Sequence, residues 1–296
     1  MIGSFFALAA AVLFASNTIL IRRAVLKVSD ASLGTLISVP MGVPLFFVAL
    51  VVTNQTGDLF RFSWQAYFWL SLAGILHFVV GRSLYYGCVQ LVGANIAGIL
   101  RRTNILVSVV LGITLLSEPL SWNLAAGVSL IITGITLTGL SSQTFRSADG
   151  KIARIPIKAV LLGFGCGLSW GISPIFIKLG LKGTGAAISG GFISFLAATV
   201  LLGITLIGRQ RRTAVGQLTP MAAGLFFSAG LFSFSANLVR YLALSLAPAS
   251  VVTPLVATEP VFMMIFSFIF NRQLEIFSRP VIFGSILVVA GTILLV

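Results

Sequence analysis

Charged residues are scarce in this sequence. Only 8% of its 296 residues are Asp, Glu, Lys or Arg, and just six are acidic. A soluble domain needs about a quarter of its residues charged to keep its surface hydrated. Hydrophobic residues make up 58% and the mean hydropathy is +1.10, so the surface is expected to face hydrocarbon. There, backbone polar groups are satisfied only in helices or closed barrels. Because the long apolar runs lack the alternation of barrel strands, the composition predicts an all-α integral membrane protein.

Residues that could form a catalytic or metal centre are also few. The chain has one His and two Cys. Cys88 and Cys166 lie in apolar runs outside any CxxC or Cys/His cluster, so no disulfide, metal site or cofactor is predicted. No GxxxxGK[ST] phosphate loop occurs, which argues against an ATP-driven pump. His77 and Glu259 are the only obvious acid–base candidates, without paired carboxylates. No catalytic residue is therefore assigned, and an intramembrane enzyme is the least favoured alternative.

Charges, prolines and polar clusters divide the chain into ten predicted membrane spans, each near the length of about 20 residues that a bilayer requires. The spans, numbered 1 to 10 below, are residues 2–22, 32–53, 65–89, 93–116, 121–140, 157–178, 185–208, 219–245, 248–270 and 279–296. The polar stretch Ser141 to Lys158 predicts a connector. We predict a first five-helix repeat over 1–145, the connector over 146–156 and a second repeat over 157–296. The N-terminus lacks a basic leader region, so the first span is expected to be retained.

The two halves resemble each other in sequence. A shift of about 155 residues places Leu91 to Ala94 on Leu246 to Ala249, and it sets Asn104 opposite Glu259. Each half also ends in a span with two glycines seven residues apart, at Gly127 and Gly134 and at Gly284 and Gly291. Because five spans is an odd number, the second half is predicted to be inverted relative to the first. Secondary transporters use this architecture with the substrate near the midplane.

The net charge of +13 is not interpreted as a nucleic-acid signal. Most Lys and Arg lie at predicted span ends, where orientation in an anionic membrane explains them better. Twelve of the 19 lie in loops after odd-numbered spans, and three lie in loops after even-numbered spans. The positive-inside rule then predicts that both termini lie outside, provided that all ten spans are correct.

Several segments resemble a known transporter family. They are Leu91 to Ala97 (LVGANIA), Leu116 to Leu120 (LSEPL) and, in the second half, Ala257 to Phe262 (ATEPVF). They resemble EamA-type members of the drug/metabolite transporter superfamily over nearly the whole chain. The resemblance implies a ten-helix inverted-repeat carrier of the cytoplasmic membrane that moves small metabolites, often outward. The family commonly has Gly-Glu where this chain has Ser117-Glu118, and the second half has Asn271 to Gln273 there instead. The resemblance implies only a structural role at a helix end for Glu118.

Ionisable groups at membrane depth are costly and are candidates for function. In span 3, Arg82, Tyr85 and Tyr86 share one side of the helix. The repeat shift places five residues on the matching side of span 8, namely Ser233, Asn237, Arg240, Tyr241 and Ser245. A second pair of faces is predicted on spans 4 and 9, and span 6 adds an aromatic residue beside a proline. The predicted substrate-binding residues are Arg82, Tyr85, Tyr86, Arg101, Asn104, Trp170, Asn237, Arg240 and Tyr241, and the predicted coupling or gate residues are Glu259 and Arg102.

Two interpretations of the arginines remain open. In one, Arg101 or Arg102 pairs with Glu259 as a buried structural ion pair or gate. In the other, arginines bind a carboxylate or phosphate of the substrate. The predicted spans contain four intramembrane arginines and one intramembrane acid, which leaves positive charge unbalanced. Glu259 also admits proton coupling, because a desolvated carboxylate can titrate near neutral pH. His77 shares its side with Gly81 and is interpreted as a packed neutral histidine.

The sequence therefore predicts a secondary transporter, an exporter of small metabolites such as amino acids or organic anions. It would work by alternating access around a cavity between the halves. A multidrug exporter is the alternative within the superfamily, although a lipophilic cation would meet unfavourable arginines. A channel or passive scaffold also stays open. The predicted partners are a small-molecule substrate, membrane lipid and a proton as candidate coupling ion, with no nucleic acid.

Overall fold

The computed structural model describes residues 2–25, 27–28, 33–141, 156–206, 208, 216, 218–259, 261–262, 265–266 and 279–295. These residues are predominantly helical, and each predicted span contains helix. The predicted connector, apart from Pro156, lies outside the described residues. Asn271 to Gln273 also lie outside them. By length and composition, six described helices can cross a membrane, and three shorter apolar helices accompany them.

The helix bounds follow the predicted spans closely. Spans 1 to 5 contain the α-helices Ile2–Val25, Leu33–Ser38 and Gly42–Val52, Trp64–Gly74 and Arg82–Leu100, Thr103–Leu116, and Trp122–Ser141. Spans 6 to 10 contain Ile157–Leu181, Ala187–Thr205, Pro220–Leu246, Ala249–Val256 and Arg279–Leu295. A π-helical segment, Ile75–Gly81, lies within span 3, and a short 3-10 helix, Thr56–Arg61, precedes that span. Spans 2, 3, 4 and 9 are interrupted rather than regular helices, with turns at residues 101–102 in span 4 and 257–258 in span 9.

Short polar side chains begin several of these helices. Ser63 accepts a hydrogen bond from the Ala66 amide at 3.2 Å, and Thr219 accepts one from the Ala222 amide at 3.3 Å. Ser121 caps span 5 in the same way through the Leu124 amide. Such caps satisfy amides that have no partner inside the helix. They fix where the chain enters the apolar layer.

The boundary between spans 3 and 4 is predicted as a break in the helix, but the structure has helical backbone there. The backbone stays helical over Arg82–Leu100, whereas the predicted boundary falls at residues 90–92. Nevertheless, a Cβ on Gly165 would meet Leu84, and a Cβ on Gly163 would meet Leu100. On a straight helix, residues 84 and 100 would be about 24 Å apart, so they could not both reach neighbouring turns of span 6. The chain therefore reverses direction between them, as two antiparallel spans require.

The spans pack with twofold symmetry. Span 1 packs along span 8, and its repeat equivalent, span 6, packs along span 3. Spans 2 and 7, 4 and 9, and 5 and 10 each pack against their own equivalent. In the pair of spans 2 and 7, Gly42 lies against Phe195 and Phe46 lies against Gly191. Residue numbers thus rise along span 2 in the direction in which they fall along span 7. The equivalent spans are therefore antiparallel, and the repeat is inverted as predicted.

Glycines bring spans 5 and 10 into close contact. A Cβ on Gly127 would lie 2.9 Å from the Gly291 carbonyl oxygen, and one on Gly134 would lie 2.4 Å from that of Gly284. Both distances are too short for any side chain, so the two backbones touch directly. Small residues allow this approach where lipid provides no hydrophobic force between helices. The repeated glycine spacing in the sequence therefore forms one interface.

Glu118 joins the two halves at the start of span 9. Its carboxylate accepts hydrogen bonds from the amides of Ala249 at 2.7 Å and Ser250 at 2.9 Å. These amides begin the helix Ala249–Val256, where a negative charge is stabilised by the helix dipole. Lys178 lies at the same place and donates to the Ala247 carbonyl at 3.0 Å. The structural role of Glu118 at a helix end is thus that of a cap on the opposite half.

Replacing Glu118 with alanine is expected to lower the free energy of unfolding by about 2 kcal/mol, because two buried amides lose a charged acceptor. Thermal unfolding of the purified protein in detergent measures the change. Glu118→Gln is the matched control, since it keeps one oxygen acceptor and should lose less. An unchanged melting temperature for Glu118→Ala would contradict the capping role.

Ser117 has a left-handed backbone, with φ 54° and ψ 35°. Non-glycine residues pay a steric cost in this conformation, and glycine is favoured at the position after a helix. Ser117→Gly is therefore expected to raise stability by about 1 kcal/mol, and Ser117→Val to lower it. The same melting assay checks both variants. A Gly variant that is less stable than the Val variant would contradict this reading.

Candidate functional site

The site is built where spans 4 and 9 interrupt their helices. Turns occur at Arg101 and Arg102 in one half and at Ala257 and Thr258 in the other. The repeat shift makes Arg102 equivalent to Ala257, and the two are in direct contact. Arg102 Nη1 donates to the Ala257 carbonyl at 3.0 Å. Broken helices that meet near a pseudo-twofold axis are the usual setting of transporter binding sites.

One buried ion pair joins the halves beside this contact. Arg101 Nη2 lies 2.8 Å from Glu259 Oε2, and both side chains are at most one-tenth exposed. Thr18 Oγ1 donates to Glu259 Oε1 at 2.7 Å, so span 1 also contributes. Of the two arginines predicted as partners of Glu259, Arg101 makes the ion pair, whereas Arg102 caps a helix end. The ion-pair interpretation therefore describes Arg101.

Aromatic rings surround the Arg101 guanidinium. Its Cζ lies 5.2 Å from the centre of the Tyr85 ring and 5.1 Å from that of Trp170. Cations over aromatic faces are attracted by the ring quadrupole. Span 6 supplies Trp170, and span 3 approaches it closely because Gly81 has no side chain. A Cβ on Gly81 would lie 2.3 Å from the indole nitrogen.

His77 links this group to span 8. Its ring stacks on Trp170 with centroids 5.3 Å apart, and the indole nitrogen donates to the His77 carbonyl at 2.9 Å. Arg240 Nη1 lies 3.4 Å from both ring nitrogens of His77, so it is not aligned with either one. His77 belongs to the π-helical segment, a distortion that often occurs at functional sites. We call the group formed by His77, Arg82, Arg101, Trp170, Arg240 and Glu259 the arginine cluster.

Arg82 occupies another part of the same cluster. Its Nη1 donates to Ser38 Oγ at 3.0 Å and its Nη2 to Ser233 Oγ at 2.8 Å. Ser38 ends the first helical piece of span 2, and Ser233 lies on span 8. The Cζ also lies over the Phe78 ring at 5.6 Å. Arg82 therefore bridges spans 2, 3 and 8 through neutral hydroxyls.

The other predicted residues are buried close to these arginines. Asn237 is fully buried, and its Nδ2 donates to the Ser233 carbonyl at 2.8 Å. Its Oδ1 and the Oδ1 of Asn104 have no partner among the described residues. Tyr86 and Tyr241 are also buried, and Tyr241 packs with its ring 6.4 Å from that of Phe46. The predicted stripes of spans 3 and 8 therefore meet where Arg82 contacts Ser233. His77, which is predicted outside the stripe of span 3, adds the contact with Arg240.

Four residues of the site are not among the predicted binding or gate residues. His77 is predicted as a packed neutral histidine, but its ring contacts both Trp170 and Arg240. The signal for a role in the site is that His77 is the single histidine of the chain and lies at membrane depth. Thr18 and Ser38 are not predicted, and Ser233 is predicted only on the polar side of span 8, because hydroxyl residues are common in membrane helices and only the contacts distinguish these three.

In the described part of the site, buried arginines outnumber the carboxylates that pair with them. Among the described residues, Glu259 is the only acid that pairs with a buried arginine, and Arg82 and Arg240 have no carboxylate partner there. All three of Arg82, Arg101 and Arg240 lie within electrostatic range of His77. No group of three potential metal-ligating side chains occurs in the described part of the chain. An arrangement of buried guanidinium groups and hydroxyls is suited to binding an anion.

Comparison with known families fits this geometry. The model of the EamA-like transporter family matches residues 1–140 and 157–296. The chain belongs to the EamA-like transporter family. This membership confirms the predicted family, the all-α membrane fold with two repeats, and a transporter acting on small molecules across a membrane. It is a multi-pass membrane protein.

The fold is also present among solved structures, of which 29 chains match. One, titled only as the crystal structure of a protein, covers 99% of this chain and 96% of its own, with a TM-score of 0.76. Its sequence identity is 14%, so the likeness shows the fold alone. No curated protein matches the sequence.

Proposed function

We propose that this EamA-like transporter exports small anionic or zwitterionic metabolites, such as organic anions or amino acids, across the cytoplasmic membrane. The observation that carries the proposal is a pair of buried arginines, Arg82 and Arg240, that have no carboxylate partner among the described residues. Burying a cation is costly unless an anion or a set of acceptors compensates it. A carboxylate on the substrate would supply that compensation. The substrate would bind between spans 3 and 8, with Tyr85, Tyr86, Tyr241, Asn104, Asn237 and Trp170 around it.

The proposed mechanism is alternating access between the two halves. Support comes from contacts that join the halves at their broken helices, namely Arg101 with Glu259 and Arg102 with the Ala257 carbonyl. Such contacts can break and re-form as one repeat moves against the other. Glu259 is already held by Arg101 and Thr18, which favours a gate role over that of a proton carrier. Both termini are proposed to lie outside, as the Lys and Arg distribution predicts.

Counterflow in proteoliposomes tests the substrate class. The purified full chain is reconstituted and loaded with an anionic, a zwitterionic or a cationic metabolite, and uptake of the labelled compound is followed. We expect counterflow for anions or zwitterions and none for lipophilic cations, because cations are repelled by the arginines. An imposed proton gradient that leaves uptake unchanged would exclude proton coupling. Counterflow restricted to lipophilic cations would instead support a multidrug exporter.

A further inference from the structure

Among the described residues, Arg82 and Arg240 have no carboxylate partner. Spans 3 and 8 run antiparallel, because Arg82 on span 3 contacts Ser233 while His77 contacts Arg240 further along span 8. Ser233 and Arg240 are seven residues apart, which is about 10 Å of backbone along a helix. Arg82 therefore contacts span 8 about two helical turns away from the position that carries Arg240.

The remaining two arginines of the site are already engaged. Arg101 is paired with Glu259, and Arg102 donates to the carbonyl of Ala257, just after the end of the helix Ala249–Val256. A cation at that position is stabilised by the helix dipole. Arg82 and Arg240, in contrast, have no carboxylate contact among the described residues. Arg82 contacts two serine hydroxyls and the Phe78 ring, and Arg240 contacts the His77 imidazole. These two define two separate places for an anion.

We propose that the substrate carries two carboxylates, one bound at Arg82 with Ser38 and Ser233, the other at Arg240 beside His77. This inference rests on the proposed function and narrows its substrate class to dicarboxylates. A diacid can place one carboxylate at each arginine, whereas a single carboxylate compensates only one of them.

Span 8 also carries a buried amide side chain between these two positions in the sequence. Asn237 is on span 8, between Ser233 and Arg240, and its amide nitrogen is fixed by the Ser233 carbonyl. The orientation of the amide leaves Oδ1 buried without a partner among the described residues. Buried acceptors are normally hydrogen-bonded. A hydroxyl or ammonium group on the carbon chain of the diacid would satisfy it, so the site favours a substituted diacid over a plain one.

The first test needs no variant. Counterflow of labelled succinate is followed in proteoliposomes that contain the wild-type chain. Inhibition of this counterflow is then measured with malonate, glutarate, adipate, malate and aspartate. Butyrate and monomethyl succinate are the controls that carry a single carboxylate. We expect succinate, glutarate and the substituted diacids to compete at least about 10-fold better than monomethyl succinate, since a charge-assisted hydrogen-bonded pair is lost in the half-ester.

The second test assigns the two ends. Arg82→Gln and Arg240→Gln should each weaken succinate binding by about 10- to 100-fold and remove the difference between succinate and its half-ester. Arg61→Gln is the matched control, because Arg61 is 76% exposed and pairs with Asp58 outside the cluster. Arg82→Lys and Arg240→Lys keep the charge and serve as folded comparisons. Asn237→Leu should remove the preference for malate over succinate.

The outcomes separate the two proposals. If butyrate or the half-ester competes as well as succinate in the wild type, the dicarboxylate inference is overturned while transport of anions stands. If no anion or zwitterion competes and only cations are transported, the proposed function itself fails. If the variants do not fold, the comparison of succinate with its half-ester on the wild-type chain still decides whether the dicarboxylate inference holds.

Discussion

Replacing Glu259 with glutamine is expected to lower the free energy of unfolding by about 3–5 kcal/mol, because Arg101 is left as a buried cation without its counter-ion. The pair is short, at 2.8 Å, and almost fully shielded. Thr18 would also lose a charged acceptor. Since most proteins are stable by only about 5–15 kcal/mol, the variant should show a clearly lower melting temperature and a lower folded yield.

The exposed ion pair between Asp58 and Arg61 provides the matched control. Its distance is similar, at 2.9 Å, but the two side chains are 25% and 76% exposed. Solvent screening limits such pairs to at most about 1 kcal/mol. Thermal unfolding of Asp58→Asn and Glu259→Gln under the same detergent conditions compares the two directly. Equal losses in the two variants would show that the Arg101–Glu259 pair contributes nothing beyond a surface pair.

A double variant separates stability from transport. Arg101→Gln in the Glu259→Gln background removes both charges, so much of the lost stability should return. Transport should remain impaired, because one of the two contacts between the broken helices, that of Arg101 with Glu259, is gone. If the double variant recovers both stability and transport, the pair is a structural element only and the gate role of Glu259 is wrong.

The fold was largely predictable from the sequence because lipid imposes simple constraints. Long apolar runs predict helices, and five spans per half predict inversion, which the pairing of Gly42 with Phe195 and Phe46 with Gly191 confirms. What the sequence could not predict is where the helices are interrupted. Neither the π-helical segment at Ile75–Gly81 nor the turn at Arg101 and Arg102 contains a proline that would indicate an interruption. They depend on how the spans pack.

The site was predictable in composition and less so in contacts. Helical spacing predicted Arg82 and Tyr85 on one side of span 3, and the repeat shift pointed to Arg240 on span 8; that these residues bind substrate stays a prediction. Spacing could not choose between Arg101 and Arg102 as the partner of Glu259, since the choice is set by the turn that redirects both side chains. It also could not bring His77 to Trp170, because that stacking depends on the absence of a side chain at Gly81, across from another span.

Replacing Gly134 with valine is expected to cost about 3 kcal/mol or more, through separation of spans 5 and 10. A Cβ at this position would lie 2.4 Å from the Gly284 carbonyl oxygen. That atom belongs to a backbone, which cannot rotate away as a side chain can, so the steric cost is at the upper end of that for overpacked cores. Gly224→Val in span 8 is the control, because a Cβ there meets nothing within 4 Å. Removing a glycine from an open helical position should be neutral or slightly stabilising.

Thermal unfolding and folded yield in detergent measure the two glycine variants side by side. Spans 5 and 10 pack mainly against each other, and none of the described polar contacts of the arginine cluster involves them. Gly134→Val should therefore reduce the amount of folded protein much more than the counterflow rate of each molecule that remains folded. Equal melting temperatures for Gly134→Val and Gly224→Val would contradict a direct backbone contact. A normal yield with abolished counterflow would show instead that this interface moves during transport.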